Sequence, residues 1–469
     1  MCILGTIAGC RRTLGIISAT SLFCTAFGIA SIRAQSNNDN VPPWQLPPGE
    51  GSERRAAFEQ TAVEREAESI PQAGPSQSKS APLSPPHVAP GSEGGRMIDS
   101  DWGESRLCGD GEGLDCDCEN CLNPVANRLW FRGEFLAMWN KAAASPALAT
   151  TNTDPNTPRP NAGVIGVPTT RVLFGGENDD VGVLTGGRFT LGYRFKPCED
   201  TGLEVTYMFL GDKSLTFSAD SNTTPIIARP FFDVQTSQQN SFVIALPTDQ
   251  QTGSTNIRLS DDFNSLDTLW RKAIYTPSGR QVDFLAGYRY AHFGELLAID
   301  SQSTLLGATS LVHDQFGTEN DFNGAEIGIS TKSRYCCWSV ELLGKFALGN
   351  TRSIVDISGN SSIVGGAASN GGLLALPTNI QRFETNNLTV MPELGVTLTY
   401  DVSNRLKATL GYTFLYWSRV ARASEQINLD VNPSQLSGGT LTGNPAPQFR
   451  YVPGDYWVQG LTLGLDCRF

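Results

Sequence analysis

The last residues of the chain, WVQGLTLGLDCRF, alternate between apolar side chains and small or polar ones. One side of the alternation carries Trp457, Leu461, Leu463, Leu465, Cys467 and Phe469, with Gln459 as its polar member. The other side carries Val458, Gly460, Thr462, Gly464, Asp466 and Arg468. Successive side chains of a strand point to opposite faces, so this stretch predicts a strand with one oily face.

The same alternation recurs from about residue 127 onward, and it predicts an all-β domain of about ten strands (10–12). Among the predicted strands, the stretch 256–275 has the least regular alternation. The strands are predicted near residues 129–139, 186–195, 202–211, 256–275, 282–290, 323–331, 338–348, 388–400, 406–417 and 457–469. A soluble β-sandwich could hold as many strands. The lengths of the connections between the strands are therefore needed to distinguish a sandwich from a membrane barrel.

Long and short connections alternate along the domain. Long ones are expected at 140–183, 212–255, 300–319, 353–385 and 420–454, and short ones at KPCED, TPSG, STKSRYCC and DVSNR. Up-and-down antiparallel barrels of the bacterial outer membrane show this asymmetry, with short turns on the periplasmic side. The pattern therefore predicts a transmembrane β-barrel in the cell outer membrane with both chain termini in the periplasm.

The composition of the apolar strand faces and the length of the strands are those expected of a lipid-exposed barrel wall. They carry almost no charge, and strands of about ten residues tilted by about 40° span an apolar band of about 25 Å. Aromatic residues near the strand ends predict interfacial girdles: Trp130, Trp139, Tyr193, Trp338, Tyr400, Trp417, Tyr456 and Trp457. The terminal Phe469 is the expected signal for the barrel-assembly machinery, and outer-membrane lipid is the expected surrounding partner.

Charged residues of both signs fall on the opposite, lumen-facing side of the strands. These are Arg132, Glu134, Arg188, Arg194, Glu204, Asp283, Arg289, Glu326, Glu341, Lys345, Glu393, Lys407, Asp466 and Arg468. A barrel of about eight strands is filled by its own side chains, whereas aqueous channels appear at about 16 strands. Mixed charges in so narrow a lumen favour a salt-bridge network over a wide pore.

Three hypotheses for function follow. The first is a narrow or gated, porin-like conduit for small solutes. The second is a structural or anchoring barrel that displays its loops without an open channel. The third, less favoured, is an enzyme built on a barrel.

Composition narrows the chemistry further. The net charge of −12 argues against a nucleic-acid partner. The chain has only 3 histidines; His292 lies at the end of a predicted strand, and His313 beside Asp314 lies in a predicted loop. A catalytic role needs a partner nucleophile or a second carboxylate pair nearby in space, and nothing in the sequence singles one out. We therefore expect no enzymatic activity and assign no catalytic, cofactor-binding or metal residues.

The region before the barrel has three predicted parts. Residues 1–34 carry Arg11 and Arg12, an apolar run and a small-residue site, which indicates a signal peptide cleaved after Ala34, or alternatively after Ala30. An uncleaved anchor helix is the other interpretation. Residues 35–107 are rich in Pro, Ser and Gly and are predicted to be a disordered linker.

A cysteine-rich cap segment is predicted at 108–126, before the barrel at 127–469. The disulfide candidates are Cys108, Cys116, Cys118, Cys121, Cys198, Cys336, Cys337 and Cys467, which all map to the short-turn rim. Their even number in an oxidising compartment favours disulfides, with free thiols or zinc as the alternatives. We expect the stapled segment to cover the periplasmic mouth.

Several stretches of the barrel region resemble a known family. They are LWFRGEFLAMWNK, VLFGG, GGRFTLGYRF, GLEVTYMFLG, ARPFFD and DYWVQGLTLGLDCRF. Together they resemble the beta-barrel porin 7 family of bacterial outer-membrane proteins, known chiefly from planctomycetes. The resemblance covers about 127–469, implies the barrel fold, and brings no catalytic residues or defined solute with it.

Overall fold

The computed structural model describes residues 128–176, 178–179, 182–195, 201–276, 279–403 and 405–469. The predicted signal peptide, linker and cysteine-rich segment lie outside the described residues. So does Cys198. No helix in this described part is long and apolar enough to span a membrane.

Ten antiparallel strands form a closed ring. They are β1 Leu129–Asn140, β2 Leu184–Arg194, β3 Thr201–Asp220, β4 Thr252–Tyr275, β5 Arg280–Leu305, β6 Ala308–Tyr335, β7 Trp338–Ile363, β8 Gln381–Asp401, β9 Leu406–Ala421 and β10 Pro453–Arg468. Each strand pairs with its neighbours in sequence, and β10 pairs with β1. Arg132 opposes Asp466 at that closure. The predicted all-β up-and-down barrel is confirmed.

The two ends of the ring differ in their connections. One end, called the short-turn end, carries the turns β2–β3, β4–β5, β6–β7 and β8–β9 together with Leu129 and Phe469. The backbone N–H of Phe469 donates to the carbonyl of Leu129 at 3.0 Å. The other end, called the loop end, carries the connections 141–183, 221–251, 364–380 and 422–452.

The long connection predicted at 300–319 is wrong. Strands β5 and β6 continue through this region, and only Leu306 and Gly307 separate them. Outward positions such as Asp300 are polar here while Ile299 points inward and is buried. Above the lipid band the outer face no longer needs to be apolar, so the sequence loses the oily alternation although the strand persists. His313 consequently lies on β6.

Apolar side chains cover the outer wall beside the short-turn end. Phe189, Leu342, Leu394 and Leu463 are 46, 52, 59 and 62% exposed. Such exposure is unusual for soluble proteins and is expected where lipid replaces water as the solvent. On β7 this band runs from Trp338 to Leu348, after which the outward side chains become polar.

The aromatic girdle prediction holds in part. Trp139, Tyr193, Trp338 and Tyr400 are 40–47% exposed on the outer wall. For Trp130, Trp417 and Tyr456 the prediction is wrong, because these side chains face the lumen. Their phase places them inside: Tyr456 and Trp457 are neighbours, so the strand points them to opposite faces.

The wall of the barrel is uneven in height. Strands β4 to β7 have 24, 26, 28 and 26 residues, whereas β1 and β2 have 12 and 11. The tall strands rise beyond the lipid band, and their inner faces need an apolar cover there. The loops of the short strands supply that cover.

Four loops fold together into a cap at the loop end. The cap contains strands Ala143–Ala144, Ala149–Asn152, Thr170–Phe174, Asn178–Asp179, Ile227–Asp233, Gln238–Ala245, Ser369–Asn370 and Asp430–Val431, and 3-10 helices Arg159–Asn161, Pro247–Asp249, Ser424–Gln426 and Pro433–Gly438. Its core packs Leu148, Phe231 and Leu374 against Ile257 and Phe316 of the tall wall. Burial of this apolar surface is what fixes the loops.

Candidate functional site in the barrel lumen

An ion-pair cluster fills the lumen at the level of the lipid band. We call it the ionic layer; it consists of Arg289 and Lys345 with Asp267, Glu326 and Glu393. Arg289 Nε lies 2.6 Å from Asp267 Oδ1, and Arg289 Nη2 lies 3.1 Å from Glu326 Oε1. Lys345 Nζ lies 2.7 Å from Asp267 Oδ2 and 2.8 Å from Glu393 Oε2. Arg289 also pairs directly with Glu393.

Three carboxylates of this layer approach each other as metal ligands do. Oxygen atoms of Asp267, Glu326 and Glu393 lie within 4.8 Å of one another. Arg289 and Lys345 already contact all three groups, with side-chain exposures of 1 and 6%. A buried carboxylate needs a compensating charge, and these two cations supply it. Each of the three carboxylates therefore has at least one cationic side chain within 4.0 Å.

A second cluster lies between the ionic layer and the short-turn end. Arg132 Nη2 lies 3.3 Å from Glu341 Oε2 and 3.4 Å from Asp466 Oδ2. Arg271 lies 2.9 Å from Glu204, 2.9 Å from Asp283 and 3.3 Å from Glu341. Because β1 and β7 are four strands apart in the ring, the Arg132–Glu341 pair bridges the lumen.

The other charged residues predicted for the lumen are placed as follows. Arg188 Nη1 lies 3.8 Å from Glu134 Oε2, and Lys407 Nζ lies 2.5 Å from Asp401 Oδ1. Arg194 and Arg468 line a cavity at the short-turn end. The structure thus gathers the predicted set into ion pairs and a charged mouth.

Sequence reasoning missed Asp267, Arg271 and Lys332. Asp267 and Arg271 lie on β4, where the alternation was recognised as a strand but was too irregular to assign a face. Both residues lie an even number of positions from the inward-facing Leu259 and Phe263, and this spacing could have assigned them to the lumen face. Lys332 lies on β6, in a stretch that the sequence predicted to be a turn.

Aromatic and apolar side chains form a second barrier, nearer the loop end. We call it the aromatic layer; its centre is Phe263, Phe293 and Tyr456. The rings of Phe293 and Tyr456 have centroids 4.1 Å apart, and those of Phe263 and Tyr456 5.8 Å. The guanidinium of Arg422 lies over both Phe293 and Tyr456, 5.6 and 5.9 Å from their centroids. Both rings are fully buried.

The remaining cross-section of the aromatic layer is filled from the other strands. Trp417 is fully buried, and its Nε1 donates to Thr351 Oγ1 at 2.9 Å. Asn140 Nδ2 of β1 donates to Asp261 Oδ2 of β4 at 2.5 Å. Further buried members of the same cluster are Leu136, Met138, Met208, Leu210, Phe322, Met391 and Leu415. Such packing leaves side chains in contact across the lumen.

Two buried carboxylates fasten the cap to the tall wall. Asp314 Oδ1 on β6 accepts from the backbone N–H groups of 373, 374 and 375 at 2.9, 2.9 and 2.7 Å. Its other oxygen lies 2.7 Å from Arg229 Nη2, and both side chains are buried. Glu295 on β5 accepts from Arg422 at 2.6 Å and from the N–H of Ala423 at 2.8 Å. These contacts hold three loops in place.

A cavity of about 380 Å³ opens at the short-turn end; we call it the mouth cavity. Its charged lining consists of Arg132, Arg194, Arg271, Arg280, Lys332, Arg334, Lys407, Arg468, Glu204, Asp283, Glu341 and Asp466. Trp130 adds aromatic surface. The cavity is therefore strongly polar, with more cationic than acidic side chains.

The histidines of the barrel are paired with acids on its outer face. His292 Nδ1 lies 2.8 Å from Asp321 and its Nε2 3.4 Å from Asp262, just above the apolar band. Hydrogen bonds with Asp262 and Asp321 raise the pKa of His292 to about 9. The ring is protonated at neutral pH and is a poor general base. His313 pairs with Asp300 at 2.7 Å, while Asp314 points into the cap.

Three cysteines fall in the described residues. Cys336 and Cys337 are exposed in the β6–β7 turn, Cys467 is partly exposed on β10, and all three are free thiols in this part of the chain. The other disulfide candidates lie outside the described residues. The stapled segment remains a prediction.

The solved structures to which this chain is similar include the following three. The outer membrane protease OmpT from Escherichia coli shares 9% identity with a TM-score of 0.37, covering 74% of this chain and 98% of that one. A deltaS2S3 mutant of the TodX monoaromatic hydrocarbon channel shares 7% identity with a TM-score of 0.21, covering 74 and 94%. The P. putida toluene transporter TodX shares 7% with a TM-score of 0.18, covering 73 and 90%.

No curated protein matches the chain. A protein-family model does match, and it covers the whole ring of strands. Its description is "Putative beta barrel porin-7 (BBP7)", and it spans residues 130–469. The ten-stranded wall with its apolar exterior is the part of the molecule that this match covers, and the chain belongs to the BBP7 family of outer-membrane β-barrels.

Proposed function

We propose that this protein is an anchoring barrel that closes its own lumen and presents the folded cap at the cell surface. The observation that carries the proposal is the stacking of Phe293 on Tyr456 at 4.1 Å. These residues belong to β5 and β10, which are opposite each other in the ring. Rings that touch from opposite walls leave no room for a solute between them.

The ionic layer supports the same conclusion independently. Lys345 of β7 reaches Asp267 of β4, three strands away, at 2.7 Å. A charged solute moving along the axis would have to break buried ion pairs. Removing one partner of such a pair costs about 3–5 kcal/mol, which makes spontaneous opening rare.

The orientation of the barrel belongs to the proposal as well. We infer that the short-turn end faces the periplasm, because short turns are periplasmic in such barrels. The cap then faces outward, and Phe469 is available to the assembly machinery from the periplasm. Labelling of intact cells with a membrane-impermeant maleimide tests this. Thr440→Cys should add label over the parent and Ser403→Cys should not; the reverse result overturns the orientation.

Single-channel recording in planar bilayers tests closure. The wild-type protein should give no steady conductance. The double variant Phe293→Ala, Tyr456→Ala should give brief openings or a raised leak, since it removes the centre of the aromatic layer. Phe189→Ala, on the lipid face, is the matched control and should behave as the wild type. A steady ohmic conductance of the wild type would contradict the proposal.

A second candidate is a narrow, gated conduit for small solutes. The mouth cavity favours it, because a polar vestibule at one end of the lumen is what a conduit needs. Transport would require displacement of both the aromatic layer and the cap. Voltage-dependent openings of the wild type, abolished by a disulfide between cap and wall, would support this candidate over the first.

We infer no enzymatic role. The two histidines among the described residues, His292 and His313, lie on the outer face in ion pairs with Asp262, Asp321 and Asp300, away from the lumen and the cap core. A general base needs a pKa near the working pH, which the protonated His292 lacks. Incubation of the protein with peptide and phospholipid substrates should give no turnover above that of a His292→Ala, His313→Ala variant.

A further inference from the structure

The mouth cavity has an excess of positive charge. Within the described part of the chain, its lining holds eight cationic side chains and four carboxylates. All four carboxylates are engaged by only two of the cations: Arg132 pairs with Asp466 and Glu341, and Arg271 pairs with Glu204, Asp283 and Glu341.

Several of these cations lack a compensating acid. Lys407 and Arg334 share the single carboxylate of Asp401, at 2.5 and 2.8 Å. Among the described residues, Arg280, Lys332 and Arg468 have no ion-pair partner within 4.0 Å. Lys332 and Arg468 stand on β6 and β10, which face each other from distant parts of the ring. Like charges on facing walls repel, so an anion between them is favoured.

The shape of the cavity adds to this preference. It is closed on its inner side by the Arg132–Glu341–Arg271 pairs, and its wall is a low-dielectric barrel. Clefts lined by one sign of charge focus the field and concentrate counter-ions. The indole of Trp130 lies against Gly192, where an added Cβ would come within 2.0 Å of its Nε1. This close approach keeps the aromatic ring flat against the wall and leaves the space open.

We propose that the mouth cavity is a binding site for a multivalent anion that carries carboxylate or phosphate groups. Arginine side chains recognise both groups with paired hydrogen bonds, and lysine adds a point charge. A volume of about 380 Å³ accommodates a small organic anion or a few residues of an acidic peptide.

Two sources could supply this chemistry. One is a free small anion. The other is the chain itself: residues 104–121, with the sequence ESRLCGDGEGLDCDCENC, carry six carboxylates and one arginine. Only residues 122–127 separate this segment from the first described residue, a span of at most about 20 Å. Tethering at such a distance gives an effective concentration of the order of mM.

Isothermal titration of the full-length protein in a non-ionic detergent tests the proposal, with citrate and inorganic pyrophosphate as probes at low salt. The variant Lys332→Gln, Arg468→Gln should bind either probe at least about tenfold more weakly. The control Arg352→Gln, Arg382→Gln removes two exposed cations near the loop end and should bind as the parent does. Heat-modifiable gel migration verifies that each variant is folded.

A second arm separates the two sources. The variant Asp110→Asn, Glu112→Gln, Asp115→Asn, Asp117→Asn, Glu119→Gln removes most of the negative charge from residues 104–121. Tighter binding of citrate by this variant than by the parent identifies the chain's own segment as the resident anion, whereas equal binding points to a free anion. If neither protein binds either probe, or if the Lys332→Gln, Arg468→Gln variant binds as the parent does, the proposal is wrong.

Discussion

Phe293 and Tyr456 stack with their ring centroids 4.1 Å apart although their strands lie on opposite sides of the barrel. The wall is thus held together through its lumen as well as through its ladder of hydrogen bonds. Buried aromatic pairs contribute about 0.5–1.5 kcal/mol beyond the area that they bury. Contacts of this kind make the interior a second, independent source of stability.

The first prediction concerns this contact. Phe293→Ala should lower the free energy of unfolding by about 3 kcal/mol, because it removes a fully buried ring from a packed layer. Urea titration of the protein folded in lipid vesicles, followed by tryptophan fluorescence, measures the change. Phe189→Ala removes the same ring from the lipid face and should cost less. Equal losses would show that the lumen is loosely packed.

The ionic layer gives the second prediction. Arg289→Met should destabilise the barrel by about 3–5 kcal/mol, since Asp267 and Glu326 would then depend on Lys345 alone, and Glu393 on Lys345 and the more distant Arg188. The double variant Arg289→Met, Asp267→Asn should recover part of the loss, because one uncompensated carboxylate is removed.

A surface pair serves as the control for the ionic layer. Arg352 and Glu384 form an exposed ion pair at 2.6 Å on the outer face above the lipid band. Arg352→Gln should change the unfolding free energy much less than Arg289→Met does in the same assay, because water screens an exposed pair. A loss comparable to that of Arg289→Met would mean that burial does not govern the cost.

The third prediction concerns the two faces of β8. Leu394 is 59% exposed on the lipid face, so Leu394→Arg should slow membrane assembly at a cost of roughly 2–4 kcal/mol. Thr397 faces the lumen in register with Glu341, so Thr397→Arg places its charge beside a carboxylate and should be tolerated better. Heat-modifiable gel migration reports the folded fraction. The opposite order would show that the strand has been assigned the wrong face.

The fourth prediction concerns the fastening of the cap. Asp314→Asn should leave Arg229 buried without a counter-charge and release the segment 364–380, whose N–H groups bind the Asp314 carboxylate. Limited proteolysis of the folded protein should then cleave this segment several times faster. Asp356→Asn changes an exposed carboxylate on the neighbouring strand and should leave the rate unaltered. Equal rates for both variants would contradict the fastening role.

Much of the barrel could be predicted because lipid imposes a simple rule on the outer face. Leu394 and Leu463 had to be apolar, and the opposing residues could be assigned to the lumen by phase alone. Beyond the lipid band, the outward-facing side chains no longer have to be apolar. Above that level Asp300 and Gln302 face water, and the strands that carry them looked like loops.

The lumen contents were harder to predict for a different reason. Alternation gives the side of the strand on which Arg289 or Tyr456 lies, but which strands meet across the interior depends on the number of strands and their stagger. The contact between Phe293 and Tyr456 joins residues that are far apart in sequence. Tyr456 therefore resembled an interfacial girdle residue until the closed ring showed its neighbours.

The strand pairing in the cap has a consequence for the order in which the protein folds. Asp430–Val431, in the last loop, pairs in parallel with Phe232 and Asp233, which are made about two hundred residues earlier. The sheet of the cap therefore cannot be completed until nearly all of the chain is present and the barrel has closed. The folded cap therefore depends on a completed barrel, and an incompletely assembled chain would carry unfolded, protease-sensitive loops in its place.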